Sequence, residues 1–229
     1  MTTAIVTGSG RGIGRETAIL LAKKGLNLVV CSRTEREIND TVELIKKIHH
    51  RVIGVKCDVS IASQVNTLVK ETVTKFGSIE ILVNNAGIFT VKKLVETTEN
   101  EWEEILAVNL TGTFLFCKAV LPHMIAKESG VIINVSSGAG KTGFDGLSAY
   151  CASKFGMMGL TESLAWEIAA GRIRVMTICP GEVATKMQES DPEYYQENKD
   201  KMLTPEQVAA RIVDMILDSK YRNGQSVDI

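Results

Sequence analysis

Six short runs of nearly unbroken apolar residues, spaced by helix-length amphipathic stretches, limit the folds open to this chain more than any other feature. They are "TAIVTG" (3–8), "LNLVVCS" (26–32), "RVIGVKCD" (51–58), "IEILVNNAG" (79–87), "GVIINVSS" (130–137) and "RIRVMTICPG" (172–181). A strand with one wet face alternates apolar and polar residues. These runs do not alternate, which is the pattern of strands buried on both faces of a parallel sheet. Helices are expected over 13–24, 34–48, 61–76, 101–127 and 149–170, with Gly25, Gly77 and Gly171 as stops. "TPEQVAARIVDMILD" adds a last helix, with Thr204 before it and Pro205 at its first position. Alternating strands and helices joined by right-handed crossovers give an α/β fold: one Rossmann-type doubly wound parallel sheet of about seven strands, with helices on both faces. A chain of 229 residues, 45% of them hydrophobic, fills one such domain and leaves no room for a second.

The first strand ends in "TGSGRGIGRE" (7–16) and runs straight into a helix. Glycines at 8, 12 and 14 let the backbone turn tightly, approach a pyrophosphate, and aim the helix N-terminus and its unsatisfied N–H groups at that anion. The end of the second strand then selects the dinucleotide. NAD-binding folds place an acidic residue there for the ribose 2′-hydroxyl. Here the sequence is "VVCSRTERE" (29–37), with no carboxylate at that point and a guanidinium, Arg33, suited to gripping a 2′-phosphate. NADP(H) is therefore the expected cofactor, with Glu35 and Glu37 as the nearby charges that oppose it.

"SSGAGKTGFDGLSAYCASK" (136–154) carries the chemistry. Tyr150 and Lys154 are four apart and fall on one face of a helix. Ser137 closes the fifth strand, at the end of the sheet where such folds bind ligands. Reduction of a ketone by a nicotinamide hydride builds negative charge on the carbonyl oxygen, which needs a proton as the hydride arrives. A phenol with a pKa of about 10 lies roughly three units from neutrality, a gap of about 4 kcal/mol. An ammonium ~4 Å away offers up to about 4 kcal/mol at an effective dielectric of 20. Tyr150 is thus the expected general acid in reduction and base in oxidation, Lys154 the group that lowers its pKa, and Ser137 a donor to the substrate oxygen.

Taken in order, TGxxxGIG, "NNAG" (84–87), SS…YxASK and "PG" (180–181) resemble the motifs of the short-chain dehydrogenase/reductase family, and more narrowly its single-domain branch containing 3-oxoacyl-acyl-carrier-protein reductases. The resemblance runs from Thr3 to about Thr185. It implies that Gly8, Gly12, Ile13 and Gly14 follow the pyrophosphate, and that Arg11 is a second cation for a 2′-phosphate. Asp58 would accept from the adenine amino group beside the Val59 backbone. Asn84 and Asn85, with Ala86 and Gly87, would line the adenosine-side ribose and steady the central strands. Pro180, Gly181, Val183 and Thr185 would border the nicotinamide, whose ribose Lys154 would hold beside Tyr150. Asn109, in "AVNLTG", would anchor a water linking Lys154 to solvent. The Tyr-to-Lys gap disfavours an enoyl reductase, and an epimerase of the longer branch would need a further domain. A dinucleotide-sensing protein without turnover is the rival from another class, opposed by the intact Ser137, Tyr150 and Lys154.

Residues 182–203 break the βα rhythm with charges, Pro192 and paired tyrosines, so 185–203 is expected to form a substrate lid, with Phe144, Leu147 and Tyr194 on the pocket wall. A carrier-protein partner would want basic residues at the mouth. Lys141, Lys186, Lys199 and Lys201 qualify, diluted by Glu189, Asp191, Glu193 and Glu197. A net charge of −1 gives no field to attract nucleic acid or an anionic membrane. The five cysteines are scattered, without CxxC or Cys/His clusters, which suits reduced thiols and argues against a cysteine metal site. With no basic leader and no 18-residue apolar run, a soluble cytoplasmic protein is expected. The chain stops at "NGQSVDI", without the glycine-rich tail that contributes subunit contacts in many family members. That puts a homodimer, through apolar faces of the helices at 101–127 and 149–170, on equal terms with a homotetramer.

Overall fold

In the computed structural model, which describes residues 2–168, 172–188 and 192–229, the six apolar runs become strands β1 (Thr3–Thr7), β2 (Asn27–Ser32), β3 (Val52–Lys56), β4 (Ile81–Asn84), β5 (Ser129–Val135) and β6 (Arg172–Cys179). A seventh, β7 (Ser226–Asp228), forms inside "NGQSVDI", where no strand was expected, and pairs with β6. All pairs are parallel, in the order β3, β2, β1, β4, β5, β6, β7. The order reverses beside β1, so the loops leaving β1 and β4 diverge and open a crevice at the carboxyl ends of the strands.

Both faces of the sheet are covered. Ala4, Val6, Leu28 and Val30 pack beneath helices α1 (Gly12–Lys23) and α2 (Glu35–Lys46) in one core. Their alternates Ile5 and Val29 point the other way, into a core shared with α3 (Ala62–Phe76) through Val65 and Leu68. This two-sided burial is why the inner strands show no polar alternation, while β3 at the sheet edge is only partly covered. Helix α3 stops at Gly77 in the left-handed conformation (φ 82°). Helix α6 spans Ser148–Glu167, and the stop expected at Gly171 lies outside the described residues. Helix α8 (Pro205–Leu217) opens with a Thr204–Gln207 capping box.

The helix expected over 101–127 starts earlier, at a capping box in which Thr98 and Glu101 satisfy each other's backbone N–H groups. It runs as α4 (Glu99–Leu106), a π-helical turn at Ala107–Thr111, and α5 (Gly112–Ala126). Contrary to expectation, this stretch is long and apolar enough by length and composition to cross a membrane, with a mean hydropathy of 1.6 over 18 residues. Its apolarity has a local cause: Phe116, Cys117, Val120 and Met124 are buried against the sheet.

The polar segment after β6 folds back across the carboxyl end of the sheet. Val183 forms a parallel bridge with Leu203, and a short helix, α7 (Pro192–Asn198), lies between them. Residues 189–191 of the expected lid, including Glu189 and Asp191, lie outside the described residues.

Candidate active site

One cavity of about 1000 Å³ follows the carboxyl ends of the strands, from the loop after β1 to the segment after β6. Its size suits a dinucleotide together with a small substrate. Gly8 and Gly12 have φ of +62° and +55°, and a Cβ on Gly8 would lie 2.8 Å from Ala86 Cα, so a side chain there would collide with the loop after β4. No side chain caps the start of α1, whose first N–H groups are left for a ligand.

Gly14 does not line the cavity; a Cβ there would meet Asn85 Nδ2 at 2.5 Å and Gly8 O at 2.6 Å, so its role is close packing of α1 on the loop. Of the two asparagines, Asn85 serves the loop, donating to Thr7 O (2.9 Å) and Gly8 O (3.2 Å) and lining the cavity. Asn84 is buried in the sheet, where it donates to Asn134 Oδ1 at 2.9 Å, so it does not line the ribose region. Ile13, Ala86, Gly87 and Val59 line the cavity. Asp58 lines it too, with Oδ1 accepting from Ser60 N (2.9 Å) and Ser60 Oγ (2.6 Å). Arg11 and Arg33 reach the same region, each already paired: Arg11 with Glu37 at 3.0 Å and Arg33 with Glu104 at 3.4 Å.

Ser137, Tyr150 and Lys154 converge on one wall. Ser137 Oγ accepts from Ala139 N at 3.1 Å, which leaves its own hydrogen to donate. Lys154 is buried and donates to Val135 O at 2.7 Å, with Nζ 5.5 Å from the centre of the Tyr150 ring. The expected depression of the phenol is absent. Burial pushes Tyr150 up to about 12, with the Ser137 hydroxyl pulling the other way, and burial draws Lys154 down to about 8. The physical reason is that the ammonium is aimed at the end of β5, beneath the ring, while desolvation disfavours the charged form of both groups.

Asn109 occupies the π-helical turn and is fully buried. Its Oδ1 accepts from Ile88 N at 2.8 Å, and its Nδ2 donates to Ile88 O (2.9 Å) and Ser153 Oγ (3.0 Å). Ser153 Oγ in turn donates to Tyr150 O at 2.7 Å. Asn109 therefore ties the loop after β4 to the first turns of α6. The sequence gives no role to Ile88, and Ser153 stands out only as the Ser of YxASK.

Residues 2–196 match the family described as short chain dehydrogenase. The chain belongs to the short-chain dehydrogenase family. It is 34% identical to the 3-oxoacyl-(acyl-carrier-protein) reductase FabG of Staphylococcus aureus, over 99% of this chain and 96% of the relative. Among solved structures it resembles levodione reductase (31% identity, TM-score 0.92) and an actinorhodin polyketide ketoreductase variant solved with NADPH (31%, TM-score 0.93). Each likeness covers 100% of this chain and 95% of the solved one.

In this short-chain dehydrogenase the far end of the cavity is apolar. Phe89, Val91, Phe144, Leu147, Met187 and Tyr194 line it, with Phe89 5.7 Å from the Tyr150 ring and tilted against it. Tyr194 OH donates to Glu182 Oε1 at 2.7 Å, joining α7 to the segment that leaves β6. Pro180, Gly181, Val183 and Thr185 line the cavity between the two ends. Of the basic residues expected at its mouth, Lys186 lines it, whereas Lys141 pairs with Asp228 at 2.5 Å and Lys199 donates to Gln196.

Proposed function

We propose that this chain reduces a ketone to a secondary alcohol with NADPH, a 3-oxoacyl thioester being the first substrate class to test. The observation that carries the reading is one continuous cavity joining the glycine loop and Arg11 to Ser137, Tyr150 and Lys154. The residues fit the cofactor: Gly8 and Gly12 hold their loop in conformations that favour glycine, and two guanidiniums stand at the adenosine end. NADPH, when bound, supplies the hydride.

The chain's own groups manage the oxygen and the proton. Ser137 donates to the carbonyl oxygen and Tyr150 delivers the proton as charge develops there. Burial keeps the phenol protonated through the neutral range, so it enters reduction with a proton to give, and the same burial makes it the weaker acid until charge develops on the substrate oxygen. Lys154 is held in place by Val135 O and would hydrogen-bond the nicotinamide ribose of a bound cofactor. Asn109 fixes the backbone of Ile88 and, through Ser153, of Tyr150. The described residues 185–188 and 192–203 act as a lid over the substrate end, where Met187 and Tyr194 line the cavity. Subunits associate as dimers or tetramers through α4, α5 and α6, which expose Trp102, Phe114, Phe155 and Trp166.

A panel of 3-oxoacyl thioesters, steroids, sugars and small diketones, followed by loss of reduced-nicotinamide absorbance with NADPH and with NADH, tests the reading. Turnover of a ketone with a higher kcat/KM for NADPH is the expected result. A clear preference for NADH would remove the cofactor assignment, and nucleotide binding without turnover across the panel would favour a sensing role.

A further inference from the structure

The adenosine end of the cavity holds a carboxylate as well as its two guanidiniums. Glu37 stands in the first turn of α2 and lines the cavity. Its Oε1 takes Arg11 Nη1 at 3.0 Å. A Cβ placed on Gly10 would lie 2.8 Å from Glu37 Cβ, 3.1 Å from Glu37 Oε2 and 3.1 Å from Ser32 Oγ. The carboxylate is thus lodged between the glycine loop and the end of β2, the corner of a dinucleotide fold that meets the adenosine ribose. It comes from five positions beyond Ser32, which is why the end of β2 looks devoid of an acid in the sequence. The other cation is also engaged: Arg33 turns to Glu104 of α4 at 3.4 Å. Both arginine side chains are about half exposed (52% and 51%), within reach of a bound nucleotide.

A 2′-phosphate needs a guanidinium without a competing anion, whereas a 2′-hydroxyl needs an acceptor. Glu37 supplies the acceptor and occupies the guanidinium. We propose that Glu37 is the residue that sets discrimination between the two dinucleotides. By holding Arg11 it weakens the grip on a 2′-phosphate and admits a ribose with a free 2′-hydroxyl, so the chain discriminates less than its two arginines alone would allow. The proposal rests on the reading that this cavity binds a nicotinamide dinucleotide.

The test is calorimetric titration of adenosine 2′,5′-bisphosphate and of AMP, which lacks only the 2′-phosphate, into the wild-type chain and into Glu37→Gln, Glu37→Ala and Arg11→Gln variants, with thermal melts to verify folding. Removing the carboxylate should raise the affinity ratio of bisphosphate to AMP by about tenfold, mainly by tightening the bisphosphate, as expected for one unit charge close to a doubly charged group in a water-rich site. Arg11→Gln should lower the ratio. An unchanged or reduced ratio in both Glu37 variants overturns the proposal. A wild-type chain that favours AMP while the Glu37 variants still raise the ratio overturns the NADP(H) preference alone, and a chain that binds neither nucleotide overturns both.

Discussion

Tyr150 and Lys154 are tuned in opposite directions by the same cause. Burial raises the phenol to about 12 and lowers the ammonium to about 8, so the protein on its own favours the neutral form of each. Tyr150→Phe removes the proton donor and should lower kcat by a factor of about 10² to 10⁴ while nucleotide binding persists. Comparable turnover in the variant would refute the role. Alcohol oxidation needs the phenolate, so its kcat/KM should climb as pH rises above neutrality, whereas ketone reduction should not. Stability carries a separate signature. Between about 8 and 10.5 the unfolded Lys154 binds a proton that the folded one has released, so unfolding free energy rises with pH across that window. Tyr150 acts with the opposite sign between 10 and about 12, where the folded phenol keeps a proton that the unfolded one loses. A pH series of melting temperatures should show the first rise in the wild type and lose it in Lys154→Met.

At the scale of elements, the catalytic wall depends on how closely α6 approaches the loop after β5. A Cβ on Gly140 would lie 2.5 Å from Ser136 Oγ and 3.0 Å from Lys154 O, so Gly140→Ala must lever the loop and the helix apart. A displacement of about 1 Å is enough to lower kcat by roughly a hundredfold. Steady-state kinetics with a thermal melt separates this from global unfolding, and an unaltered kcat would show that the contact is not critical. The strands and the helix-borne pair Tyr150 and Lys154 were legible in the sequence, because unbroken apolar runs and an i, i+4 spacing are local signals. The direction of the Tyr150 shift was not, because desolvation depends on packing by distant residues such as Phe89. Glu37 was legible as a charge opposing a 2′-phosphate, but its approach to Gly10 and Ser32 was not, because that depends on how α2 packs over the loop. The strand in "NGQSVDI" escaped because a three-residue strand leaves no periodicity to read, its register being imposed by β6.

For the molecule as a whole, the cover on the α4–α6 side is incomplete. Trp166 is 82% exposed and Phe155 46% exposed on α6, which is a poor state for large apolar side chains on a lone subunit. Light scattering coupled to gel filtration should report a dimer or tetramer for the wild-type chain. Phe155→Arg should shift that mass toward the monomer, and an unchanged mass would place the contact on another face. The π-helical turn at Ala107–Thr111 shapes this same side. An extra residue in one turn advances every later side chain by about 100° around the axis. What would otherwise be one straight rod becomes two rods out of phase, so that α4 packs on α6 while α5 packs on α3. Asn109 sits at the phase slip, and the twist that separates the two packing faces is also what turns its amide inward to meet Ile88 and Ser153.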